Sequence, residues 1–204
     1  MPEIICYFSP QSGYAYLGHA RLVAIAKAQG ASISWRPVDI LQVFAAGGST
    51  APAKQSPQRN AYRKQDIVRW AKRAGIPITT EPAYWPTDTL PACRMIVAAQ
   101  REGLDATALI GACLGAVWAR DLQIADRDTL IRLANEVGLD GAHLVSLSDT
   151  LSAAEGVERN TAEAIGAGVF GSPSYVVDGE LYFGQDRLDF VADKLKALAA
   201  GGAA

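Results

Sequence analysis

The sequence predicts an α/β fold in which a βαβ half and a ββα half share one sheet, with a large all-helical insertion between them. Three observations carry this expectation. Residues 3–38 alternate strand, helix and strand; residues 169–204 read as strand, tight turn, strand and helix; and residues 92–168 have helical periodicity almost throughout. The expected division is a discontinuous sheet domain, 1–40 and 169–204, around a helical insertion domain, 41–168.

Glu3 to Phe8, EIICYF, is a short unbroken apolar run suited to a strand buried on both faces. Ser9-Pro10-Gln11-Ser12-Gly13 makes a turn. From Tyr14 to about Gln29 the pattern YAYLGHARLVAIAKAQ is helical, and Gly30 is a natural stop. Ser32 to Val38 then reads as a second strand. A strand–helix–strand unit this short implies parallel strands joined by a right-handed crossover. Phe44 to Asn60, rich in Gly, Pro, Ser and Ala, reads as a long loop. Tyr62 to Ala74 is amphipathic, with Ile67, Trp70, Ala71 and Ala74 on one face. Thr79 to Pro91, interrupted by Pro82 and Pro86, is expected to be irregular.

Helices follow over Ala92 to Glu102, Asp105 to Arg120, Asp126 to Val137, Asp140 to Ser152 and Ala154 to Ala167. Asp126 and Asp140 suit N-caps and Gly138 suits the position just past a helix end. The closing unit, GVFGSPSYVVDGELYFGQDRL, runs from Gly168 to Leu188. Tyr175 to Val177 is a strand, Asp178-Gly179 a hairpin turn, and Leu181 to Phe183 the returning strand. Gly184 breaks it. Asp186 suits an N-cap for the last helix, with Asp189 three residues on completing a capping-box-like pair. The Gly/Ala tail, Ala199 to Ala204, is expected to fray.

Composition narrows the function classes. Half of the 204 residues are hydrophobic and 20% are charged, as in a soluble globular protein. A net charge of −2 without a basic block argues against nucleic acid as the partner. No run of 18 apolar residues suggests a membrane helix, and MPEIICYFSP lacks the pattern of a signal peptide. Cys6, Cys93 and Cys113 are widely spaced and odd in number, so the expectation is a cytoplasmic protein with buried free thiols. There is no C-x-x-C, which excludes a vicinal dithiol. His19 and His143 have no partner at metal-ligand spacing, and no zinc, phosphate-loop or dinucleotide pattern occurs, so no metal is expected.

Two motifs remain, G-S-P before the closing hairpin and G-Q-D-R after it, Gly171 to Pro173 and Gly184 to Arg187. With F-S-P-Q-S-G-Y-A-Y-L at the first turn, Phe8 to Leu17, they resemble the thioredoxin-fold branch that holds 2-hydroxychromene-2-carboxylate isomerases and kappa-class glutathione transferases. The fold implied is thioredoxin-like, related to DsbA, with a helical insertion. In that family a serine at the first turn is catalytic. Aligning on Tyr14-Ala15-Tyr16-Leu17 puts it on Ser12, while Ser9 stands where the family has Asp and Gly13 where it has Pro. A rival alignment on C-P-x-C selects Ser9. The resemblance also implies that Ser172-Pro173 is cis, that Ser172 pairs with glutathione's cysteinyl backbone, and that Asp186 binds its γ-glutamyl end. Gly171 and Gln185 belong to the same implied cofactor set. P-Q-R-N-A-Y-R-K-Q-D, Pro57 to Asp66, continues the likeness and puts Arg59 in the place of a lysine near glutathione and substrate. Trp85, in A-Y-W-P, falls where the family lines its acceptor pocket.

Each of these residues also has an ordinary structural use. Ser12 and Asp186 both suit helix caps, Arg59 a solvated loop and Trp85 packing between prolines. The physical case for Ser12 is that a helix N-terminus carries free N–H groups and about half a positive charge, which favours an anion. A hydroxyl aimed at the same point helps lower a bound thiol's pKa from roughly 8.5. The resemblance therefore implies a glutathione-dependent isomerase acting on a small aromatic keto acid in aromatic catabolism, with a homodimer as the family expectation. The alternatives are a kappa-like transferase or peroxidase, and a non-catalytic peptide-binding protein.

Overall fold

Side-chain alternation along the first strand sets up the layers. The computed structural model describes residues 1–201. In β1, Glu3–Phe8, the side chains of Ile4, Cys6 and Phe8 enter one apolar cluster, and those of Ile5 and Tyr7 enter another on the opposite face. Helix α1, Gly13–Ala28, leads to β2, Ser32–Pro37, which runs parallel to β1 with Ile5 opposite Ser34. The closing strands β3, Ser174–Val177, and β4, Glu180–Phe183, are antiparallel, β3 to β1 and β4 to β3. The sheet order is β2-β1-β3-β4.

Both faces are covered, as the unbroken apolar strands require. On one side Leu22 of α1 and Val191 and Leu195 of the last helix, Leu188–Gly201, join the main core. On the other, Val43 of α2, Ile40–Ala46, and Ala164 of α8, Leu151–Gly166, pack beside Tyr7 and Val169. Between them lie α3, Pro57–Ala74, α4, Leu90–Arg101, α5, Thr107–Trp118, α6, Arg127–Glu136, and α7, Gly141–Ser148. The main cluster runs from Ile4 and Trp35 through Met95, Leu109 and Trp118 to Leu133 and Leu144, so sheet and helices share it. The β2 edge is covered by side-chain amides: Gln100 donates to the Trp35 carbonyl at 2.8 Å and Asn160 to that of Pro37 at 3.2 Å. No helix of the described residues is long and apolar enough to cross a membrane.

Several expectations are corrected. Residues 44–60 are not one loop. Asp39 caps α2 by accepting from the Leu41 N–H at 3.0 Å, and Ser56 caps α3 with Pro57 in its first turn. The loop between them contains a 3₁₀ turn, Pro52–Lys54. Helix α4 starts at Leu90, because Pro91 sits where its missing N–H has no intrahelical partner to lose. Helix α7 stops at Ser148, and Thr150 caps α8, accepting from Ala153 at 3.3 Å. Asp186 is not an N-cap. It lies inside a 3₁₀ turn, Gln185–Arg187, and Asp189 pairs with Arg21 instead. Asp126 and Asp140 do cap α6 and α7. Of the tail, Ala199 to Gly201 belong to the last helix, α9, and residues 202–204 lie outside the described residues.

Gly18 shows how closely α1 approaches the 3₁₀ turn. A Cβ there would stand 2.7 Å from Gln185 Cβ and 3.2 Å from the Tyr175 hydroxyl. Gly18→Ala therefore has to push the Gln185–Arg187 turn away from α1. We expect a loss of about 1–3 kcal/mol, read as a fall in melting temperature of roughly 2–10 °C. Wild-type melting by calorimetry would show that the turn yields at no cost.

Candidate active site

The first turn and the loop before β3 meet at three serines. Ser172 Oγ accepts from the Ser9 N–H at 2.9 Å, and Ser12 Oγ donates to the Ser172 carbonyl at 3.1 Å. Ser12 is also the N-cap of α1, accepting from Ala15 N–H at 3.2 Å. Capping and facing the loop are thus both true of Ser12. The Ser172-Pro173 bond is cis, and so is Trp85-Pro86, which the sequence reading did not include. Among the described residues nothing accepts from the Ser172 N–H.

Three cavities open around this junction, and all three reach Tyr14 and Ser172. One of about 560 Å³ is lined by Gln185, Asp186, Tyr182 and Trp70. A second of about 740 Å³ holds Arg59, Gly171, Phe170 and Phe183. The third, about 290 Å³ and the most apolar, holds Ser9, Ser12, Trp85, Trp118 and Arg63. The structure thus brings nearly every sequence-selected residue to one cleft, in three groups. Pro173 is buried behind Ser172 and lines none of the three.

The walls are held from below. Tyr14 donates to Asp66 at 2.9 Å, tying α1 to α3, and burial with this bond to Asp66 raises the phenol's pKa. Trp118 donates to the Gln11 carbonyl at 3.0 Å, and the Gln11 side chain accepts from Thr87 N–H at 3.0 Å. Gly13 occupies the place where the resembling motif has proline, and it packs closely on Trp118: a Cβ on Gly13 would lie 3.0 Å from its ring. Gly171 is more tightly constrained, since a Cβ there would meet the Phe183 ring at 2.5 Å. Asp186 is exposed and pairs with Arg187 at 3.3 Å, while Gln185 is buried with its Nε2 unpartnered at the cavity wall.

Sequence reasoning missed Arg63, Tyr14 and Asp66. Arg59 is exposed on the first turn of α3, away from Ser12. Arg63, one turn further, lies over the Trp85 ring at 4.1 Å and lines the Ser12 cavity. The signal was present: Arg63 precedes the buried Ile67 by four residues and so shares its helix face.

Residues 3–196 match the DSBA-like thioredoxin domain family, and the chain belongs to it. Among named relatives it is similar to a 2-hydroxychromene-2-carboxylate isomerase of Sphingobium xenophagum, 27% identical over 93% of this chain and 95% of that one. A second, from Pseudomonas putida, is 28% identical over 89% and 88%. A solved 2-hydroxychromene-2-carboxylate isomerase shares the fold with a TM-score of 0.82, covering 98% of each chain at 24% identity.

None of the three cysteines lines the cleft. Burial raises the pKa of Cys6 and Cys93, and pushes that of Cys113 up to about 12. All three thiols therefore stay protonated and enclosed near neutral pH. A thiol-specific chromogenic disulfide at pH 8 should find no reactive group in the folded protein and three after denaturation. Rapid reaction of one thiol in the native state would contradict this.

Proposed function

We propose that the chain is a glutathione-dependent isomerase of the 2-hydroxychromene-2-carboxylate type, interconverting a cyclic hemiketal carboxylate and an aromatic benzylidenepyruvate. The observation that carries it is the setting of Ser12. It caps a helix with no acidic residue in its first turn and faces an apolar cavity that no carboxylate lines. An anion there meets the helix dipole and a hydroxyl with no competing charge from the protein. The likeness to the isomerases over nine-tenths of the chain supports the substrate.

The residues present suit glutathione. The buried Gln185 Nε2 has no partner and sits beside Asp186, where a γ-glutamyl group with its carboxylate and ammonium would be held. The Ser172 N–H and carbonyl suit an amide backbone running along the loop. Arg59, in the adjoining cavity, suits the glycyl carboxylate. When bound, glutathione supplies the thiolate that adds reversibly to the substrate's conjugated carbon and is returned unchanged.

The chain's own groups then divide the work. Ser12 has a single hydroxyl hydrogen, and it is given to the Ser172 carbonyl. With an amide N–H of the ligand also pairing with that carbonyl, the carbonyl would no longer depend on Ser12, whose hydroxyl could then turn to donate to a bound thiolate. The N–H groups of the first turn of α1 add to the same field. Trp85 and Trp118, with ring centroids 6.0 Å apart, close the apolar side and exclude water from the flat substrate.

Two substitutions test this. Asp186→Asn should weaken glutathione binding by about 1.5–3 kcal/mol, the worth of a hydrogen bond to a charged group. Titration calorimetry giving an unchanged affinity would remove Asp186 from the site. Ser12→Ala deletes one donor and leaves the backbone N–H groups, so the pKa of bound glutathione should rise yet remain below that of free glutathione. Turnover should drop about 10²–10³-fold, and Ser9→Ala should do much less. Thiolate absorbance against pH reads the pKa; a rise in Ser9→Ala and none in Ser12→Ala would transfer the role to Ser9. Glutathione consumed in step with product would make the enzyme a transferase.

A further inference from the structure

The smallest of the three cavities of the cleft has a charge pattern that the proposed chemistry of Ser12 does not use. Its charged lining residues are Lys54 and Arg63, with no Asp or Glu. Lys54 is exposed. Arg63 is half-buried, pairs with no carboxylate among the described residues, and has a buried Nε without a hydrogen-bond partner. A second polar atom in the same wall is equally alone. Ser9 is 1% exposed, and its Oγ has no partner although its N–H is bonded to Ser172. Buried polar groups in proteins are usually paired, and of the unpartnered buried side-chain atoms among the described residues these two line one apolar cavity, which points to an absent ligand.

We propose that this cavity is a receptor for a flat aromatic carboxylate, in which Arg63 is the specificity-determining residue that grips the carboxylate and Ser9 Oγ meets a second polar group of the ligand. The arginine is held for the task. Its guanidinium carbon lies 4.1 Å from the Trp85 ring centroid, and its Nε, buried without a partner in the protein, is a donor that a carboxylate taken into the cavity would satisfy, with a terminal nitrogen giving the second bond. Tyr14 has its own hydroxyl committed to Asp66, so it does not compete for the ligand. Trp85 and Trp118 take the ring, and a volume of about 290 Å³ suits one or two fused rings rather than a longer molecule.

The proposal rests on the isomerase reading for its substrate class, yet it can be tested without turnover. The probes are 2-naphthoate and its neutral amide, followed by tryptophan fluorescence, with glutathione binding measured separately by calorimetry. Wild type should bind 2-naphthoate more tightly than the amide. Arg63→Met keeps an apolar stem over Trp85 and should weaken 2-naphthoate roughly ten- to hundredfold, the worth of hydrogen bonds to a charged group. The amide and glutathione should bind as before. Arg63→Lys keeps the charge but not the two-bond edge, and should also lose most of the preference. Ser9→Ala should leave the preference for the carboxylate intact. Equal binding of acid and amide to wild type would overturn the proposal. So would loss of the preference in Lys54→Met or Arg59→Met but not in Arg63→Met, or loss of glutathione binding in Arg63→Met. Failure of wild type to bind glutathione while Arg63 still selects the carboxylate would sink the isomerase reading alone.

Discussion

The structure hangs on the pair of hydrogen bonds that Ser172 makes with Ser9 and Ser12, across 163 and 160 residues of chain. They join the end of β1 to the loop that enters β3, so the N-terminal and C-terminal halves of the sheet are pinned where the cleft opens. Every cavity of the cleft reaches Ser172, and each is bounded by elements that this junction brings together. On the proposed reading, the same carbonyl that accepts from Ser12 is the group an extended ligand backbone would use. Closure of the fold and readiness of the site are therefore one arrangement.

Around that junction the glycines record how little space there is. Gly13 admits Trp118, Gly18 admits Gln185 and Tyr175, and Gly171 admits Phe183. In each case a methyl group would displace a side chain that forms or supports a cavity wall. Close packing transmits such displacements rather than absorbing them.

The same fold serves disulfide chemistry where two cysteines occupy the first turn. Here that turn carries Ser9 and Ser12, and all three cysteines are sealed in the core. The helix N-terminus is kept and the protein's own nucleophile is not. On the function proposed above, the thiol comes from the ligand, and the cavities beside Ser172 offer Gln185 and Asp186 on one side and Arg59 on the other to hold it.

Much of this was legible in the residues. Alternation in EIICYF, the Asp178-Gly179 turn, the caps at Asp126 and Asp140, and the helical stripes are interactions within a few positions, so local pattern determined them. Ser12, Ser172 and Asp186 were marked as site residues by the family resemblance, since local pattern alone offers them as caps and a turn. Local pattern misread 44–60, where composition outweighed the caps at Asp39 and Ser56, and it made Asp186 a cap although Gly18 draws the 3₁₀ turn tight against α1. Tertiary structure alone decided that Arg63, and not Arg59, shares a cavity with Ser12, and that Ser9 ends buried with its hydroxyl free. The reason is physical: a helix face is set by neighbours three and four residues away, but what that face meets depends on the packing of elements more than a hundred residues apart.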